Sequence, residues 1–342
     1  MADLGRGVLR QALAAERLAL ARHEPPDPLG PFLDFIWILR WDLRGQAPHE
    51  QTILPHPNVN LGFEATGAGI YGVDSKLFTR TLSGHGKALG IRFRPGGFRP
   101  FWHAPVSQLT DQVIPAIQVF GRAAEHARKL IMDADGDTEM IAQASALLTA
   151  VLPESDPAAD QAAQLVALIT GDPGLRRVDQ LAEVSGLSAR ALQRLFADYV
   201  GVSPKWVMRR SRLHEAALRA DTGDPVDWAQ LAIDLGYADQ AHLTRDFTAT
   251  LGVSPTRYAR PLPAPHRPAN RARQHRSRFL SGPSSPSGRA TATINAVIKS
   301  CTVEKVAVSN YFFRVGENYR ASWRQDRQDR QDRQDEQARR PA

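Results

Sequence analysis

The chain has 342 residues, 42% of them hydrophobic, with 43 Lys and Arg against 36 Asp and Glu and a formal charge of +7. That apolar share excludes wholesale disorder, and no apolar run reaches the roughly 18–20 residues that span a bilayer. The single cysteine, Cys301, excludes a disulfide framework and a cysteine-based zinc site. The composition predicts a cytoplasmic protein of two or three domains with no membrane partner. Its charge is uneven: residues 263–342 hold 16 basic and 7 acidic side chains, residues 151–262 hold 12 and 14, and residues 1–150 are balanced. The global excess therefore describes the tail and is no argument for nucleic-acid binding by the rest.

Residues 6–22 are rich in Ala, Leu, Arg and Glu, which predicts a helix, and Glu24-Pro25-Pro26-Asp27-Pro28 ends it as a stiff connector. Leu33, Phe35, Trp37, Leu39, Trp41 and Leu43 fall on alternate positions, as do Val59, Leu61 and Phe63, and then Leu89, Ile91 and Phe93. Period-2 apolar spacing with aromatic residues marks strands, so residues 30–105 read as a small antiparallel β domain. From Leu109 the spacing turns to three and four, which predicts helices through Ile131 and again over 138–152 and 158–170. Beyond Leu262 the chain becomes Pro-, Ser-, Arg- and His-rich and ends in four Arg-Gln-Asp triplets, Arg324 to Asp335. Such a composition predicts disorder.

Between these lies a self-similarity. Leu192-Gln-Arg-Leu-Phe196 recurs 51 residues later as Leu243-Thr-Arg-Asp-Phe247, and Gly201-Val-Ser-Pro204 recurs as Gly252-Val-Ser-Pro255. Ala182 and Gly186 match Ala232 and Gly236 at an offset of 50. In each unit the small residue lets two helices approach, and the glycine permits a left-handed turn. Ser188 or Asp239 is placed to cap the next helix, and a Leu and Phe four apart face back into the pair. This is the pattern of a helix-turn-helix, whose second helix enters a DNA major groove. A helix from Pro204 to about Arg219 joins the two units.

Residues 176–260 resemble the DNA-binding domain of AraC/XylS-type transcription regulators. The resemblance rests on the segment from Ala232 to Phe247, followed by Gly252-Val-Ser-Pro-Thr-Arg-Tyr258. Thr248-Ala249 departs from it, where relatives carry paired basic residues. Residues 30–121 resemble, more weakly, a cupin-like domain of some of these regulators, through Leu54-Pro55-His56-Pro57, Leu89 to Gly97, and Leu109-Thr-Asp111. The resemblance implies an α+β multidomain chain. Residues 1–28 form an N-terminal helix and connector, 29–121 a cupin-like antiparallel β sensor, and 122–172 a helical connector and dimerisation region. Residues 173–260 form an all-α tandem helix-turn-helix reader, and 261–342 a disordered basic tail. It implies a bacterial regulator, not an enzyme, that binds double-stranded DNA and needs no cofactor. RNA polymerase, a second copy of the chain and a small-molecule effector of unknown identity are its further partners.

Arg190, Gln193 and Arg194 share one face of the first recognition helix, opposite Leu192 and Phe196. Arg pairs bidentately with guanine and Gln with adenine, so these side chains are expected to read bases. Gln240, Thr244 and Arg245, with His242 nearby, are expected to do so on the second helix, where the family resemblance supports one face. Ser188, Lys205, Arg209 and Arg210 are expected on phosphates, with Arg212 a further candidate that pairs instead with acids inside the domain. Residues 188–219 hold seven basic and two acidic side chains, which favours such contacts. Two such helices on one linker would enter grooves about 34 Å apart.

His49, His56, His85 and His103 lack metal-ligand spacing, and no metal is expected. Trp37, Trp41, Phe63, Phe93 and Trp102 are expected in the core. Two other functions fit the same helices: an interaction or anti-activator module that has lost DNA binding, and a DNA-repair protein with a similar reader. Alkyl-acceptor chemistry requires a reactive cysteine, and residues 1–300 contain none.

Overall fold

A computed structural model describes residues 7–222 and 224–260. The disorder expected of 261–342, and Cys301, lie outside the described residues. The chain opens with a five-residue helix, α1 (Gln11–Ala15), and then a strand, β1 (Leu18–His23). The helix expected over residues 6–22 is thus corrected. Leu18, Leu20 and Arg22 pair with Trp41, Leu39 and Trp37 of β2 (Leu33–Asp42), and this pairing overrides a modest local helix preference.

β1 and β2 join β7 (His85–Phe93), β4 (Asn60–Glu64), β5 (Gly67–Tyr71) and β8 (Val113–Pro115) in a six-stranded antiparallel sheet of order β1-β2-β7-β4-β5-β8. β3 (His49–Ile53) and β6 (Phe78–Leu82) form a separate two-stranded sheet. Val113–Pro115, expected to lie in a helical region, instead extends the sheet edge beside β5. One face of the large sheet carries Ile36, Ile38, Leu61, Phe63, Ile70, Leu89 and Ile91, all fully buried. They pack in one cluster with Ala124 and Ile131 of α4 (Arg122–Asp133) and Met140, Ala144 and Leu148 of α5 (Asp137–Thr149). The short helices α2 (Arg99–Trp102) and α3 (Ile117–Phe120) add Phe101 and Phe120 to this cluster.

The following helix, α6 (Pro157–Gly171), packs elsewhere. Its Ala162, Leu165, Val166 and Ile169 share a core with Leu181, Leu192, Phe196, Val207 and Met208. The segment 122–172 therefore divides: α4 and α5 cover the sheet, and α6 joins the reader.

The reader comprises α7 (Val178–Ser185), α8 (Ala189–Leu195) with a π turn at Phe196–Val200, α9 (Pro204–Asp221), α10 (Trp228–Asp234), α11 (Gln240–Leu251) and α12 (Pro255–Tyr258). The start of α9, through Val207 and Met208, lies in the first unit's core. Its later part, through Leu213, Ala216, Ala217 and Ala220, lies in the second unit's core with Leu231, Leu243 and Phe247. One rigid helix thus carries both units. Among the described residues no helix is long and apolar enough to cross a membrane.

Candidate nucleic-acid interface

The repeated sequence resolves into repeated backbone geometry. Gly186 and Gly236 both sit in the left-handed region, at φ 68° and 75°, and make the turns between α7 and α8 and between α10 and α11. Ser188 Oγ accepts the Ala191 N–H at 3.2 Å, and Asp239 Oδ1 accepts the His242 N–H at 2.6 Å, capping the two recognition helices. The shared Gly-Val-Ser-Pro is a stop and a start. Gly201 and Gly252 end their helices at positive φ, and Ser203 and Ser254 cap the next ones. Pro204 and Pro255 occupy first-turn positions that need no N–H donor.

Leu192 and Phe196, and their counterparts Leu243 and Phe247, are fully buried. This forces the opposite faces outward. Arg190, Gln193 and Arg194 are exposed on α8, and Gln240, His242 and Arg245 on α11, with Thr244 half-buried. The His242 ring meets Tyr237 edge-on at 5.1 Å. Lys205 is exposed at the start of α9. Arg209 is exposed too, but its Nε pairs with Asp246 of α11, whose other oxygen accepts the Tyr237 hydroxyl at 2.8 Å. This ties the linker helix to the second recognition helix.

Arg210 does not belong to this surface. It is 5% exposed, its Nη2 donates to Ser75 O at 2.7 Å, and its guanidinium lies over Trp206 at 4.6 Å. Burial first, and the neighbouring Arg209 second, lower its pKa to about 10. The expectation that it contacts phosphate is corrected for this arrangement: the β domain docks over that side of α9. Arg212 lies over the Tyr237 ring and donates to Met208 O, rather than to an acid.

The β domain holds the reader at several points. His214 Nε2 lies 3.1 Å from Pro55 O, and its ring stacks on His56 at 3.9 Å. Leu9 and Leu54 enter the second unit's core, and Val73 enters the first. Arg99 pairs with Asp198 at 2.9 Å, and Thr110 Oγ1 donates to Gly201 O at 2.6 Å. These contacts are invisible in the sequence, because they join residues about 90–160 apart.

Pro55 and His56 also line a cavity of about 470 Å³ between the open face of the large sheet and the β3–β6 pair. Trp37 and Trp41, expected in the core, line this cavity and are only partly buried. Phe63 and Phe93 are in the core as expected, and Trp102 packs against it. The four histidines lie apart: His49 beside Gln51, His56 on His214, His85 at the start of β7, and His103 after α2. Among the described residues no group of three His, Cys, Asp or Glu side chains is arranged to hold a metal.

Two capped helix-turn-helix units on one linker define a DNA-binding reader. Residues 181–261 match a family model described as a helix-turn-helix domain, and residues 21–115 match a domain of unknown function, DUF6597. An uncharacterized HTH-type transcriptional regulator of Haemophilus influenzae is 28% identical over 94 residues, 28% of this chain and 31% of that one. The probable transcription factor PqrA of Proteus vulgaris is 32% identical over 82 residues, 24% of this chain and 66% of that one. The chain thus covers less than two thirds of each relative's length. A crystal structure of a probable AraC family transcriptional regulator from Rhodopseudomonas palustris is 26% identical, with 29% of this chain and 95% of that one covered, at a TM-score of 0.25. Residues 181–261 are thus an AraC-type helix-turn-helix domain.

Proposed function

We propose that this chain is an effector-responsive transcription regulator whose α8 and α11 enter two successive major grooves on one face of DNA. The observation that carries the reading is the matched placement of Arg194 and Arg245. Each is exposed two residues after a fully buried Leu, on helices that share α9 as their mount. Arg190, Gln193 and Arg194 read one half-site, and Gln240, His242, Thr244 and Arg245 read the other. Ser188, Lys205 and Arg209 meet phosphates, which supplies affinity without sequence preference. RNA polymerase and a second copy of the chain are the further partners of such a regulator.

Effector response is supported by the cavity and its attachment. Pro55, His56 and Asp74 line it, and the chain beside them is bonded to His214 and Arg210 of α9. A ligand that shifts this wall therefore acts on the helix that spaces the two recognition helices.

Selection of bound duplexes from a random pool, followed by gel shifts across a salt series, tests the reading. The expected site has two half-sites about one helical turn apart, with affinity that falls as salt rises. Arg194→Ala and Arg245→Ala should each lose about 1–3 kcal/mol of discrimination at one base position, in different half-sites. Wild-type base preference in both variants, or no shift at low salt, would overturn it.

A further inference from the structure

The cavity exists because of what the sheet leaves out. On its open face, cross-strand rows run Leu18–Trp41–Gly86, Leu20–Leu39–Ala88–Glu64, Arg22–Trp37–Gly90–Gly62 and Phe35–Arg92–Asn60–Tyr71. Beside the large residues of β2, β7 offers Gly86, Ala88 and Gly90, and β4 on its far side adds Gly62. The rings fill the space that those missing side chains vacate. A methyl group added at Gly90 would come within 2.0 Å of Trp37 Cε2, at Gly86 within 2.5 Å of Trp41 Cζ2, and at Gly62 within 2.9 Å of Tyr71 Cε2. Trp37, Trp41 and Tyr71 thus lie over backbone on one side and line the cavity on the other.

At one end of this floor stand groups that can donate to a ligand oxygen. The Arg22 and Arg92 guanidiniums lie 4.4 and 5.1 Å from the Phe35 ring centroid. Arg92 also bonds Asn58 Oδ1 at 2.8 Å and pairs with Asp34 at 3.2 Å. A guanidinium has donors and no acceptor. Asn60, whose side chain donates to Asn58 O at 3.3 Å, stands in the same row as Arg92. The carboxylate of Glu64, which also lines the cavity, is engaged by Arg80.

We infer that the cavity binds a flat aromatic molecule of two or three fused rings, stacked on the Trp37–Trp41 floor with an oxygen acceptor toward Arg22 and Arg92. A volume of about 470 Å³ suits this size. Aromatic rings gain from offset stacking beyond the area they bury, whereas a puckered or aliphatic ring of equal size gains area alone. The inference rests on the reading of this cavity as the effector site.

Calorimetric titration of the full chain with three probes tests it: coumarin, octahydrocoumarin and naphthalene. The first two share a lactone oxygen and differ in flatness, and the third is flat without the oxygen. Coumarin should bind at least about tenfold more tightly than either. Trp37→Leu should reduce coumarin affinity about tenfold and leave octahydrocoumarin unchanged. If that variant loses its native circular dichroism, Trp41→Leu replaces it. Equal binding of coumarin and octahydrocoumarin, or no binding by coumarin at millimolar concentration, overturns the inference. Gel shifts on the same samples separate the two ideas: intact DNA binding without cavity binding sinks this one, and absent DNA binding sinks the functional reading.

Discussion

The two faces of the six-stranded sheet are built from the same alternating strands, yet only one is a core. Ile36 and Ile38 point to one side of β2, and Phe35, Trp37, Leu39 and Trp41 to the other. Both sets are apolar, and the second is larger. What separates them is the neighbouring strand. β7 offers Leu89 and Ile91 to the first face, and Gly86, Ala88 and Gly90 to the second. Large residues on adjacent strands close a core, whereas large residues beside glycine leave a cavity under whatever covers it. Among the described residues, α1, the β3–β6 pair and the chain at Pro55, His56 and Asp74 line the other side of that space.

Ile38 and Leu39 are consecutive, so they allow the sharpest attack on this contrast. Ile38→Ala, in a fully buried site, should cost about 2–5 kcal/mol in urea unfolding. Leu39→Ala, beside existing empty volume, should cost about 1 kcal/mol or less. Equal losses would mean that the second face is packed in solution. Gly90→Val falls between them. Its side chain takes the place of the Trp37 ring, which must swing into the cavity, at a cost of about 1–3 kcal/mol. The same variant should abolish coumarin binding while leaving the salt-dependent gel shift in place. Retained coumarin affinity would show that the ring floor is not the binding surface.

The same contrast explains what was legible in the residues. The reader was readable because Gly-Val-Ser-Pro writes backbone geometry directly into side-chain identity: a left-handed glycine, a capping serine and a first-turn proline. β2, β4 and β7 were readable from alternation. The strand Leu18–His23 was not, because Leu-Ala-Leu-Ala-Arg-His has no β-branched residue and owes its form to pairing with β2. β3, with the sequence His-Glu-Gln-Thr-Ile, carries no apolar alternation at all. The parity of β2 misled for a different reason: its aromatic set reads as core until Gly86 and Gly90 are placed opposite it. Arg209 and Arg210 likewise look equivalent in sequence. A step of one residue around α9 puts the first on the surface and the second under Ser75, and only the docked β domain makes that difference.

The last expected effect concerns a charge on the cavity side, for which the core face has no counterpart. Asp74 lines the cavity; burial, and then the charge of Asp111, push its carboxyl up from 3.8 to about 6. A pKa raised by folding means that ionisation is harder in the folded state than in the unfolded chain. The group's contribution to stability is therefore fully present below about pH 4 and is lost as the pH rises through about 6. Asp74→Asn removes that ionisation. The variant should melt with the wild type at pH 4 and above it at pH 8, with the gap opening between those limits. Ile38→Ala should instead lower the melting temperature by a similar amount at both pH values, since it removes only packing. An Asp74→Asn gap that stays constant from pH 4 to pH 8 would place Asp74 in an environment as wet as the surface. The cavity wall beside α9 would then be open to water in a way the core face is not.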